Sequence, residues 1–142
     1  MNSLRPPRPT GLHHVALRVV NLAACERFYV ELMGMAVEWR PDPDSVYLTG
    51  GADNLALHRA DAVSGDPRTG VLDHIGFVLA RIEDVDRWHD YLCAHEVPIV
   101  AKPRTHRDGA RSFYCLDPDG NRVQVIFHPP LAPAAGNQGG TN

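Results

Sequence analysis

Two segments of this chain repeat one another. Leu12-His13-His14-Val15-Ala16-Leu17 and Leu72-Asp73-His74-Ile75-Gly76-Phe77 each set a histidine at the start of an alternating apolar run, and sixty positions separate His14 from His74. The same spacing lays Leu22, Cys25, Phe28 and Leu32 on Ile82, Val85, Trp88 and Leu92, so an apolar stripe of helical period recurs with the histidine. Later in each half Ser45-Val46-Tyr47-Leu48 lies on Ser112-Phe113-Tyr114-Cys115, and Asn54 on Asn121, at a spacing of 67 that implies one longer loop in the second half. A unit repeated in this way points to two copies of one structural element and to a site at their junction, fed by a strand histidine from each.

Local patterns give the order of elements within a copy. Val15, Leu17 and Val19 alternate as a strand, Asn21 suits a helix N-cap, and Gly34 suits a stop, which predicts a helix over about 22 to 33. Short strands follow at Met35 to Trp39, Ser45 to Thr49 and Asn54 to Arg59, with turns at 41 to 44 and 50 to 53. The second copy reads as a strand from His74, a helix over about 83 to 95, and strands near Ile99, at Arg111 to Leu116 and at Arg122 to His128, closed by the Asp117-Pro118-Asp119-Gly120 turn. The fold class is thus α+β, two tandem βαβββ modules. A module-one boundary at 11 to 62 and a module-two boundary at 70 to 128 leave Pro-rich residues 1 to 10 and Gly/Pro/Ala-rich residues 129 to 142 as flexible ends.

Composition excludes some partners. A net charge of −3 offers no basic surplus for a phosphate backbone, so nucleic acid is not an expected partner. No apolar run approaches the roughly 20 residues that span a bilayer, and the amino terminus lacks the apolar core of a secretory signal, which predicts a cytoplasmic protein without membrane contact. Cys25, Cys93 and Cys115 are odd in number and lack metal-knuckle spacing, so they read as reduced core residues.

The pieces "HHVALRVVNLAACERFYVELMGM", "DHIGFVLARIEDVDRWHDYL" and "SFYCLDPDGNRVQVIFH" together resemble the vicinal oxygen chelate superfamily over roughly residues 11 to 128. That superfamily includes glyoxalase I, methylmalonyl-CoA epimerase, extradiol dioxygenases, fosfomycin-resistance transferases and bleomycin-binding proteins. The resemblance implies a cup-shaped, partly open mixed β-sheet barrel made by the two modules, with metal ligands on their first and last strands. It implies His14, His74 and Gln124 as ligands of a divalent metal, Zn, Fe, Ni or Mn. It also implies a homodimer acting on a small molecule.

The chain departs from that pattern where most metal-dependent members carry a glutamate. The last strand has Gln124, and a spacing of 67 matches it to Leu57 in the first half. The donor set then holds two imidazoles and an amide oxygen, with no carboxylate to offset the ion's charge. A ferrous oxygenase site with two histidines and one carboxylate is disfavoured, and a metal-bound glutamate base for isomerisation is missing. Gln remains a competent ligand through its carbonyl oxygen, and a chelating substrate could bring the missing charge.

The remaining candidates line the predicted cup. Arg111 and His106 come from or adjoin the basic stretch "KPRTHRDGAR", read as the longer loop, and could hold an anionic group. Tyr47, Phe113, Tyr114 and Leu57 fall on strands that line the cup in the superfamily, with Phe113 and Tyr114 on opposite faces by alternation. Phe28, Tyr29, Trp88 and Tyr91 are spaced to pack the helices on the sheets. Two readings follow: a metal-dependent glyoxalase-like or dioxygenase-like enzyme on a small oxygen-rich or anionic substrate, or a metal-free protein of the bleomycin-resistance kind that sequesters a ligand.

Overall fold

A computed structural model describes Arg5, residues 10 to 61 and residues 72 to 129. The linker and the two predicted flexible ends lie outside the described residues, apart from Arg5, Thr10 and Pro129. The chain divides into two compact units, the first ending at Val63 and the second beginning at Ser64.

The first unit is one βαβββ module. Strand β1 (His14–Val19) leads into α1 (Leu22–Arg27), and then come β2 (Ala36–Asp42), β3 (Ser45–Thr49) and β4 (Asn54–Arg59). The sheet order is β1-β4-β3-β2, with β1 parallel to β4 and the other pairs antiparallel. As the sequence indicates, the Asn21 side chain caps α1 by accepting from the Ala24 amide at 3.1 Å. The predicted single helix is instead two pieces, because Phe28–Leu32 forms a π-helical turn. The wider turn brings the neighbours Phe28 and Tyr29 into the core together. Gly34, at φ +83°, then takes the left-handed conformation that ends the segment cheaply only in glycine.

The second unit repeats the plan with β5 (Ile75–Val78), α2 (Asp84–Ala94), β6 (Ile99–Thr105), β7 (Arg111–Leu116) and β8 (Arg122–Phe127), in the order β5-β8-β7-β6. The stretch read as a long loop is mostly strand: β6 runs through Thr105, leaving only residues 106 to 110 as the connection. Strand β2 likewise runs on through Pro41 and Asp42, where a turn was expected. Both are edge strands with irregular register, where proline and unpaired residues are tolerated.

Each sheet has an apolar and a polar face. In module one, Leu17, Val19, Val46, Leu48, Leu55 and Leu57 are buried, while the alternate positions His14, Arg18, Tyr47, Asn54 and His58 are at least partly exposed. In module two, Phe113, Cys115, Val123 and Val125 are buried on the side of α2, which also sinks Val85 and Leu92. Trp88 and Tyr91 are only partly covered, pairing edge to face at 5.4 Å rather than joining the core.

Of the three cysteines, Cys25 and Cys115 are buried and Cys93 is exposed, so the expectation of three core thiols holds for two. Burial, assisted by the nearby Asp117 carboxylate, pushes the Cys115 thiol up to about 12. In native protein at pH 8 a thiol-reactive disulfide should titrate one cysteine rapidly, Cys93, and all three only after denaturation.

The register corrects the match made between the halves. Tyr47 pairs with Ala56, whereas Tyr114 pairs with Gln124. Ala16 likewise pairs with Ala56, and Gly76 with Gln124. Gln124 therefore corresponds to Ala56, not to Leu57. The extra residue sits in the last turn: residues 117 to 121 join β7 to β8, where residues 50 to 53 join β3 to β4. Asp117 holds that longer turn from inside, accepting from the Asp119 and Asn121 amides at 2.9 Å each. A slip of one residue reverses the face, and Leu57 is fully buried on the apolar side.

Candidate metal and substrate site

Module one presents His14 with one nitrogen already committed. Its Nδ1 lies 2.5 Å from Asn54 Oδ1, its cross-strand partner. The Asn54 amide is oriented by Glu38, whose Oε2 accepts from Asn54 Nδ2 at 2.7 Å. A carboxylate only accepts, so the amide oxygen faces the imidazole and Nδ1 carries the proton. In the neutral ring this tautomer leaves the lone pair on Nε2. The Tyr47 ring stacks near His14 at 6.3 Å and touches Trp39 at 5.2 Å and the edge of His58 at 5.8 Å.

Farther along β1 on the same face stands Arg18, opposite His58. Four residues of strand, roughly 13 Å, separate it from His14. Among the described residues no side chain or backbone group pairs with its guanidinium. An open pocket of about 550 Å³ is lined by Arg18, His58, Arg59, Ala60 and Asp61.

Module two repeats the arrangement by another route. His74 Nδ1 lies 2.6 Å from the Asp73 carboxylate, so Nδ1 again donates, and in the neutral ring Nε2 is again the acceptor. Tyr114 meets the His74 ring edge-on at 5.3 Å. Gln124 Nε2 donates to Tyr114 Oη at 2.9 Å and to Ser112 Oγ at 3.2 Å, and Ser112 Oγ lies 3.0 Å from His106 Nε2. The Gln124 Oε1 turns toward Gly76, where an added Cβ would stand 3.4 Å away. Glycine leaves that oxygen room.

The second module thus brings together four residues singled out from sequence: His74, His106, Tyr114 and Gln124. Tyr47 accompanies His14 in the first. Phe113 faces the helix instead, fully buried with His89 edge-on at 5.4 Å. Leu57 lies in the core. Arg111 is also turned to the helix, where its guanidinium holds both Asp86 oxygens at 2.8 Å and donates to Thr105 at 2.9 Å.

That pair holds the Asp86 carboxyl below the ordinary carboxylate range, chiefly through the Arg111 hydrogen bond. Its contribution to stability is present above the usual carboxylate pKa and is lost as acid takes the pH down through the lowered value. Because the pair is well solvated, Arg111→Ala should cost no more than about 1 kcal/mol in chemical denaturation and leave anion binding unchanged.

Sequence reasoning passed over Asn54, Glu38, Asp73, Ser112 and Arg18. Asn54 was visible as a repeated position and Asp73 as the neighbour of His74, yet the partner of each imidazole depends on strand register. Among the described residues, no three His, Cys, Asp or Glu side chains are grouped to hold a metal ion.

Two tandem βαβββ modules, each opening on an oriented histidine, define the class to which the chain belongs. Residues 11 to 125 match the model of the Glyoxalase/Bleomycin resistance protein/Dioxygenase superfamily, and the chain is a member of it. Among characterised proteins it is 26% identical over 116 residues to the metallothiol transferase FosB of Staphylococcus haemolyticus, covering 81% of each chain, and equally so to that of Staphylococcus epidermidis. A solved lactoylglutathione lyase from Agrobacterium tumefaciens is 27% identical with a TM-score of 0.72, over 89% of this chain and 100% of that one. A glyoxalase/dioxygenase from Nostoc punctiforme, 22% identical, shares the fold at a TM-score of 0.73 over 91% of this chain and 99% of its own.

Proposed function

We propose that the protein is a metal-dependent enzyme of this superfamily, using His14 Nε2, His74 Nε2 and Gln124 Oε1 as ligands and acting on a small, oxygen-rich organic anion. One observation carries the reading: His14, at the start of β1, and His74, just ahead of β5, are each pinned through Nδ1 to an oxygen acceptor, by different residues in the two modules, which leaves Nε2 of each neutral ring as the available ligand atom. Imidazoles oriented in this way are typical metal ligands. The donor set fits Zn, Ni, Mn or ferrous ion, and such an ion supplies Lewis acidity to a substrate that chelates through adjacent oxygens.

The chain's own residues narrow the chemistry. Neither Gln124 nor Ala56 can remove a proton from carbon, so the donor set suits addition or group transfer better than isomerisation. The word transferase in the staphylococcal relatives' name agrees with that preference. Arg18, on the face of β1 that carries His14, is one of the cations open to an anionic substrate group, and the tilted Trp39–Tyr47 pair offers an aromatic surface for its carbon frame. Arg18→Ala should weaken an anionic ligand about 10-fold in calorimetry, the scale of one charge-assisted hydrogen bond.

Homodimerisation belongs to the same proposal, since β1 and β5 are edge strands of their sheets. So does a cytoplasmic location; among the described residues no helix is long and apolar enough to cross a membrane. A second reading, metal-free sequestration of a ligand, draws on the amide at position 124. Metal-stripped protein, with each ion added back, should be assayed for thiol addition to small oxygen-rich organic anions and for cleavage of lactoylglutathione. Metal-restored addition supports the proposal. Ligand binding that no chelator alters, with no turnover under any ion, supports the second reading.

A further inference from the structure

Gln124 has the same shape with its amide oxygen and nitrogen exchanged, so whatever fixes the direction of the amide decides whether an oxygen or an NH2 group faces outward. We infer that Ser112 and His106 are positioning residues that set this direction. The inference rests on the ligand role proposed for Gln124 only in its consequence for metal; the orientation is a property of module two.

The hydrogen bonds form a chain with one polarity. Both protons of Gln124 Nε2 are used, on Tyr114 Oη at 2.9 Å and on Ser112 Oγ at 3.2 Å. Ser112 is 2% exposed, so its hydroxyl has little water to turn to. Having accepted from Gln124, it has one proton left, and we assign that proton to His106 Nε2, 3.0 Å away, which places His106 in its Nδ1–H tautomer. An acceptor at the His106 end therefore makes Ser112 an acceptor toward Gln124 and sends Oε1 out beside Gly76. Without that acceptor the buried hydroxyl proton finds a partner only by pointing at the amide, so the reversed arrangement, with Oε1 inward on Ser112 and Tyr114 and the NH2 group outward, is preferred by about one hydrogen bond. An outward NH2 cannot ligate a cation.

A carboxylate has no such direction, and this supplies the control. The first measurement needs no metal: in protein labelled with 15N, the Gln124 side-chain amide protons should show NOEs to the Tyr114 ring and the Ser112 β-protons, and His106→Ala should add or substitute NOEs to the Gly76 α-protons. Gly76 contacts in the wild type, or a pattern unchanged by His106→Ala, would overturn the inference. The second is zinc titration of the apo-protein. Ser112→Ala and His106→Ala should each weaken zinc about 5- to 10-fold when Gln124 is present, and Ser112→Thr should restore it. In combination with Gln124→Glu the same two substitutions should change affinity less than twofold, and an equal loss in both settings would mean a merely structural role. If wild-type protein takes no zinc while the NOEs run as expected, the metal proposal fails and the positioning role stands.

Discussion

Leu57→Glu should prevent stable folding, whereas Ala56→Glu should leave a cooperatively folded protein. The two positions are neighbours on β4 and differ in face. Leu57 is fully buried with Val46 as its cross-strand partner, so a glutamate there loses the leucine packing and strands an unpaired charge among apolar groups. Each of those effects costs several kcal/mol, and their sum rivals the about 5 to 15 kcal/mol that keeps a domain of this size folded. Ala56 is also covered, but it pairs with Tyr47 on the face that carries Asn54 and His58. A longer side chain there can displace the Tyr47 ring and run outward, at about 1 to 3 kcal/mol. Urea denaturation followed by circular dichroism reads the difference, and a folded Leu57→Glu protein alongside an unfolded Ala56→Glu protein would put the register one residue the other way.

Gln124→Glu should tighten zinc binding by about 10- to 100-fold, since a negatively charged ligand replaces a neutral one at a divalent cation. The change is sterically modest. Tyr114 and Ser112 now accept from the amide nitrogen, and both hydroxyls can turn to donate to a carboxylate. Calorimetric titration of the stripped proteins measures it, and equal affinities for the two would remove Gln124 from the ligand set.

The two modules were legible because the helical stripe and the strand histidines recur at one fixed spacing, a long-range signal that local irregularities do not erase. Ser45–Thr49 and Asn54–Arg59 were legible to the residue because turn-forming residues bound strongly alternating runs. The π-helical turn at Phe28–Leu32 was not, since five apolar or polar residues at helical spacing look alike whether each carbonyl reaches four or five residues onward. The Leu57 assignment failed for a physical reason: the extra residue sits in the turn held by Asp117, after the strands that set the spacing of 67, so the halves drift by one exactly where the face matters. Arg111 looked available because its counter-ion Asp86 is 25 positions away on α2, a pairing that no local pattern encodes.

The distinction between His14 or His74 and the other histidines was legible only in part. Their repeated positions ahead of alternating apolar runs marked them, but the oxygen acceptors on their Nδ1 atoms arrive by different routes, from β4 in one module and from the preceding residue in the other. Convergence on the same free nitrogen is the strongest structural support for a shared role.

The central claim is tested most directly by elemental analysis of protein purified without chelator, together with its His14→Ala and His74→Ala variants, followed by Zn, Ni, Mn and ferrous titration of the stripped wild type. The account predicts stoichiometric divalent metal in the wild type, restored on titration, and its loss in both variants with folding intact. Wild-type protein free of metal, with no binding in the micromolar range for any of the four ions, would contradict it.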